Sequence, residues 1–152
     1  MERDVYSGRL RLHGEEHPQT VLAANNYAWG LVLLGRFDEA KSLMRKTIPV
    51  ARRLLGESHK HTLTARSIYG EALCQDTGAT LDDLHEAVTT LEETERAAQQ
   101  VFGGAHPLTT GIEESLCNAR AAHLRVMLSS VGPEDGEVLQ TADDLAAHFS
   151  NL

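Results

Sequence analysis

"HGEEHPQT", residues 13–20, packs two histidines, two glutamates, a glycine and a proline into eight positions. It returns as "LGESHKHT" at 55–62 and as "FGGAHPLT" at 102–109. Gly14 to Gly56 and His17 to His59 are both 42 residues apart, and Gly56 to Gly103 and His59 to His106 are both 47. A period of this size marks a repeat architecture, in which each unit buries its apolar face only by stacking on its neighbours. Other positions keep the register: Tyr27, Tyr69 and Leu116, and also Ala28, Gly70 and Cys117. The five extra residues of the second interval fall around "GATLDD", 78–83, where the first repeat has only "GRFD", 35–38.

Apolar spacing between the links is helical. Ala24, Tyr27, Ala28, Leu31 and Leu34 form one stripe over 20–34, and Phe37, Ala40, Met44, Ile48, Ala51 and Leu55 form another over 37–55. A second pair is predicted over 62–76 and 81–102, with the insertion lengthening its second helix, and a further helix over 109–129. After "GPEDG", 132–136, the residues Val138, Ala142, Leu145 and Phe149 predict a short final amphipathic helix. The fold expected is all-α: a solenoid of antiparallel helix pairs, with about six or seven helices in a single domain over 1–152. Its parts are a partial outer helix at 2–13, repeat units at 17–56 and 59–103, and a third unit with a capping helix at 106–149. The first of these reads as the second half of a pair whose own first helix is absent, leaving Val5, Tyr6, Leu10 and Leu12 available for self-association.

One position tests the periodicity. Pro49 interrupts the 37–55 stripe, and an interior proline costs roughly 3 kcal/mol. Burial of Ile48, Ala51, Leu54 and Leu55 should outweigh this, giving a bent but unbroken helix with Pro49 near the outer face.

The recurring link has a scaffold explanation. Gly14, Gly56 and Gly103 suit a helix end with positive φ, Pro18 and Pro107 suit a first helical turn, and Thr20, Thr62 and Thr109 or Thr110 are candidate N-caps. The histidine between them can bond a loose backbone group or stack on the adjacent unit. Metal ligation is the competing use, but successive units of a solenoid are offset by roughly 10 Å, too far for three ligands near 2 Å from one zinc. A local site from His59 and His61 remains the narrower alternative. No metal or other cofactor is expected.

Composition excludes several classes. No stretch reaches the ~18 apolar residues of a membrane span. "MERDVYSGRLRL" is charged where a signal peptide is apolar, which points to the cytoplasm. Cys74 and Cys117 lack CxxC spacing and read as reduced thiols. There is no glycine-rich phosphate loop, HExxH or GxSxG, and adjacent carboxylates such as Asp82-Asp83 diverge by about 100° on a helix, so no catalytic residue is assigned. The protein is not expected to be an enzyme.

"LGESHKHTLTARSIYGEAL", 55–73, and "HGEEHPQTVLAANNYAWGLVLLGRFDEAKSL", 13–43, resemble tetratricopeptide repeats of the long, kinesin-light-chain-like kind. Asn25, Asn26, Ala28, Gly35, Phe37, Glu39 and Ala40 carry the likeness in the first unit, while Lys60 and Ser67-Ile68 depart from it in the second. The resemblance implies a right-handed superhelix whose concave wall, built from the first helix of each pair, holds a peptide or partner helix. On that wall the candidate peptide-binding residues are Asn25, Asn26, Trp29, Ser67, Glu71, Glu114, Ser115 and Asn118, flanked by Val32, Gln75 and Ala122. Asparagine amides both donate and accept, and tryptophan anchors interfaces, so Asn26 and Trp29 are the foremost candidates. The competing use is local: Trp29 packing on a neighbouring helix and the asparagines capping turns.

Charge is polarised. Residues 1–66 hold 11 Lys or Arg against 7 Asp or Glu, and 67–152 hold 3 against 15. This favours a partner with a basic segment toward the C-terminal half, or head-to-tail stacking, over nucleic acid; the blander account is a solvated outer surface. Two functions are therefore expected from this sequence: a peptide-binding interaction module, or a structural spacer or oligomerising segment.

Overall fold

The computed structural model describes residues 1–131 together with 146–147. Within them the chain forms six helices and no strand: α1 (Glu2–His13), α2 (Pro18–Leu33), α3 (Phe37–Leu55), α4 (Lys60–Gln75), α5 (Leu81–Phe102) and α6 (Pro107–Ser129). The final helix expected from Val138, Ala142, Leu145 and Phe149 lies outside the described residues.

Each helix packs on the next, and α4 also touches both α2 and α6, whereas α1, α3 and α5 do not touch one another. The even-numbered helices thus form an inner layer and the odd-numbered ones are splayed outside it. This is the tetratricopeptide-like helical solenoid. Its core is continuous, running from Ala28 and Leu31 through Met44, Leu63 and Leu73 to Leu91, Ile112 and Leu116. α1 contributes no buried residue and holds on through Tyr6, which stacks on Tyr27 at 5.9 Å between ring centroids. Val5 and Leu12 stay exposed on it, while Tyr6 and Leu10 are half-buried.

The recurring link builds one structure three times. α1, α3 and α5 each end at a glycine with positive φ (76°, 98° and 82° at Gly14, Gly56 and Gly103) and an extended ψ, a region reserved almost entirely for glycine. Three residues on, His17, His59 and His106 are the N-caps of α2, α4 and α6. Each ring accepts at Nδ1 from the backbone N–H two positions later, at 3.1 Å. Nδ1 lies as many bonds from Cα as the side-chain oxygen of asparagine, so it reaches the same free amide. The threonines do not cap. Thr20, Thr62 and Thr109 sit one turn inside and are buried; Thr20 donates to the carbonyl of Gly14 at 2.7 Å, and the hydroxyls of Thr62 and Thr109 have no partner among the described residues. The cap histidines also pack on what precedes them: His17 stacks on His13 at 4.2 Å and His106 on Phe102 at 4.7 Å, while His59 lies tilted against His61.

α3 runs unbroken through Pro49, which is exposed. Ile48 and Ala51 are buried, but Leu54, expected inside, is 38% exposed. The five extra residues of the second unit divide into two in the link before α5 and three in α5 itself. That link starts α5 with a reciprocal box, in which Thr80 accepts from the N–H of Asp83 and Asp83 from the N–H of Thr80. It also carries Asp76, which ties back to Lys41 of α3 at 3.0 Å. Lys41 is buried and bridges Asp38 and Asp76.

Candidate functional site

α2, α4 and the first half of α6 enclose an open groove of about 320 Å³ on the inner layer. α2 supplies Asn25, Asn26 and Trp29; α4 supplies Thr64, Ser67, Ile68 and Glu71; α6 supplies Pro107, Leu108, Gly111, Ile112 and Ser115. A second cavity, beside Tyr6 and Thr47, has about 20 Å³, room for little more than one water.

Of the residues expected on the wall, the structure brings together Asn25, Asn26, Trp29, Ser67, Glu71 and Ser115. Glu114 and Asn118 are exposed on α6 but do not line the groove. Val32, expected beside them, is buried in the core. The repeat register explains the difference. Asn26, Ile68 and Ser115 are equivalent, as are Trp29, Glu71 and Asn118. The groove crosses these helices obliquely, so on α6 it meets residues one to two turns nearer the N-terminus than on α2. Pro107, Leu108, Gly111 and Ile112 were missed for this reason. Thr64 lies one turn before Ile68 and is missed for the same reason, and Ile68 because it stands where the first unit has Asn26.

The side chains differ in how free they are. Asn25 is buried, and its amide donates to the carbonyl of His61 at 3.0 Å, tying α2 to the start of α4. Its Oδ1 is left without a partner. Asn25 is thus an inter-repeat tie first, with its donor already committed. Asn26 is exposed, and among the described residues its amide makes no hydrogen bond. Trp29 is 42% exposed, so packing on a neighbouring helix does not consume its ring. Glu71 is half-buried. Its Oε1 accepts from the hydroxyl of Ser115 and its Oε2 from the amide of Gln75 at 3.2 Å, so a residue from each of two helices holds the carboxylate in place. The thiol of Cys74, one turn along on α4, is pushed up to about 11 by burial and by Glu71, and is not a thiolate nucleophile at neutral pH.

The recurring histidines do not converge on the groove. Each spends its Nδ1 lone pair on its own helix, and burial together with His59 and Lys60 pushes His61 below the usual imidazole range. Among the described residues no helix is long and apolar enough to cross a membrane.

Residues 20–61, from the first turn of α2 through α3 to the start of α4, match the family model for the tetratricopeptide repeat. The match supports a tetratricopeptide repeat protein, and with it a protein–protein interaction module and protein partners; it indicates no enzymatic family. No curated protein matches the chain.

Proposed function

We propose that the groove across α2, α4 and α6 binds a peptide segment or partner helix, and that the protein is a non-catalytic interaction module. The observation that carries this reading is Trp29, 42% exposed at the edge of an open groove whose opposite wall is apolar. A large aromatic left half in solvent beside a concave surface is the usual form of an interface anchor. Asn26 beside it offers a free amide to a peptide main chain. The repeats are read as the long, kinesin-light-chain-like kind, on the intervals of 42 and 47 residues and the Asn25-Asn26 pair. The units are taken as 17–56, 59–103 and 106–149, with 2–13 a partial outer helix. Both cysteines are free thiols, in keeping with the cytoplasm.

Selection of a random peptide library on the immobilised protein tests the reading. Selected peptides should bind Asn26→Ala/Trp29→Ala about tenfold or more weakly than wild type, the loss typical of an interface anchor. Equal binding to both proteins would sink it. The competing use as an oligomerising spacer draws on the exposed Val5 and Leu12 of α1. It predicts a concentration-dependent mass in sedimentation equilibrium that a Val5→Ser/Leu12→Ser variant abolishes.

A further inference from the structure

The groove lining is one-sided in charge. Among the described residues it contains no lysine, arginine or histidine, and Glu71 is its single ionisable group. An ionised carboxylate offers roughly four acceptor positions, of which Ser115 and Gln75 take one each. The remainder have no donor among the described residues. Behind the same wall the Oδ1 of Asn25 is 2% exposed at the residue level and unpartnered, a second acceptor whose dipole adds negative potential where no donor answers it. Open acceptor positions on a half-buried carboxylate that faces a groove point to a donor that arrives from outside.

The surroundings fit a long cationic side chain better than a lone ion. Glu71 occupies the Trp29 position of the next repeat, so the carboxylate and the exposed ring stand on neighbouring inner helices. Ile68, Leu108 and Ile112 supply apolar wall. A lysine or arginine can lay its methylene stem along such a wall with its head on a carboxylate, and an aromatic face attracts the same charge. The C-terminal half, with 15 Asp or Glu against 3 Lys or Arg, draws a basic segment toward this end of the groove.

We propose that the groove recognises a basic peptide segment through one lysine or arginine side chain, with Glu71 as its anchor and Ser115 and Gln75 as positioning residues. This rests on the groove being a peptide site, as proposed above. The test is an arrayed peptide library in which a central lysine, arginine, citrulline or glutamate is set in the same randomised flanks. It is probed with wild type, Glu71→Gln, Ser115→Ala and Trp29→Ala, each first checked for helical content by circular dichroism.

Wild type should prefer lysine- and arginine-centred peptides over citrulline by roughly tenfold, the value of a hydrogen bond to a charged group, and more over glutamate. Glu71→Gln should erase that preference while keeping Trp29-dependent binding, and Ser115→Ala should reduce it. In wild type the preference should also shrink between low salt and about 0.5 M, which decides the matter should Glu71→Gln fold poorly. Trp29-dependent binding that ignores the central charge, or a preference that survives Glu71→Gln, overturns this proposal and leaves the groove reading standing. Absence of any Trp29-dependent binding overturns both.

Discussion

The three links at 14–17, 56–59 and 103–106 and the three inner-helix stripes at 25–29, 67–71 and 114–118 share one repeat register, yet they behave in opposite ways. In the links a positive-φ glycine is followed three residues later by a capping histidine, with the same 3.1 Å bond each time. On the stripes Asn26 becomes Ile68 and then Ser115, and Trp29 becomes Glu71 and then Asn118. The links answer to the backbone of their own helix, where one geometry has one solution. The stripes are free of that requirement, and each helix meets the groove at a different height. Substitutions in the two sets should therefore separate cleanly into those that cost stability and those that cost binding.

The largest expected effect is on the stability side, at Gly70. It stands in register with Ala28, but a methyl group there would come within 2.6 Å of the side chain of Leu91, which is wholly buried. Gly70→Ala should lower unfolding free energy by about 1–3 kcal/mol, the cost of overpacking a filled core. Urea unfolding followed by circular dichroism measures it; a neutral result would mean that α4 and α5 can slide apart freely.

Next come the caps. His59→Ala should cost about 0.5–2 kcal/mol, the usual value of an N-cap side chain, and His17→Ala and His106→Ala should cost a similar amount. His59→Asn keeps an acceptor the same number of bonds from Cα, so it should recover most of the loss. Failure of asparagine to rescue would show that ring stacking, as between Phe102 and His106, outweighs the hydrogen bond.

These sites also mark what was legible in the sequence. The glycine and histidine links were, because a requirement repeated identically leaves an identical trace; only the agent of capping was misassigned, from threonine to histidine. The unbroken α3 was legible too, since Ile48 and Ala51 keep their phase across Pro49. The oblique course of the groove was not. It follows from the rotation between successive units, and a period in sequence fixes the number of residues per unit but not the angle between them. Glu114 and Asn118 were placed on the wall for that reason, and Leu108 and Ile112 were passed over. The burial of Asn25 was hidden similarly, because its partner is a backbone carbonyl of the next unit and leaves no side-chain signature.

A smaller effect is set by pH and belongs to the link that differs most between units. The N–H of Gly78 and the ammonium of Lys41 hold Asp76 below the ordinary carboxylate value of 3.8. A group with its folded pKa depressed adds stability that is fully present above its unfolded value and lost as pH falls through the folded one. Stability should thus decline below about pH 4, and Asp76→Asn should flatten that decline while lowering stability at neutral pH. The first unit joins its helices through the short Leu34–Arg36 link and has no counterpart of this ion pair. An acid transition of the same steepness in wild type and Asp76→Asn would assign the effect elsewhere.

The smallest expected stability change is the one that defines the groove. Trp29 is the largest side chain on the stripe, and its loss from a filled core would cost about 3–5 kcal/mol. It is 42% exposed, however, and Asn26 beside it is exposed with no partner for its amide among the described residues. Exposed substitutions away from caps and ion pairs usually stay within about 0.5 kcal/mol. Asn26→Ala/Trp29→Ala should therefore unfold at nearly the wild-type urea concentration, with an unchanged slope, while losing peptide binding. Asn25→Ala, next to it in sequence, should do the reverse, because it removes the buried tie from α2 to the His61 carbonyl of α4. If Asn26→Ala/Trp29→Ala proved as destabilised as Asn25→Ala, the tryptophan would be a packing residue and the division between repeated links and divergent stripes would not separate stability from binding.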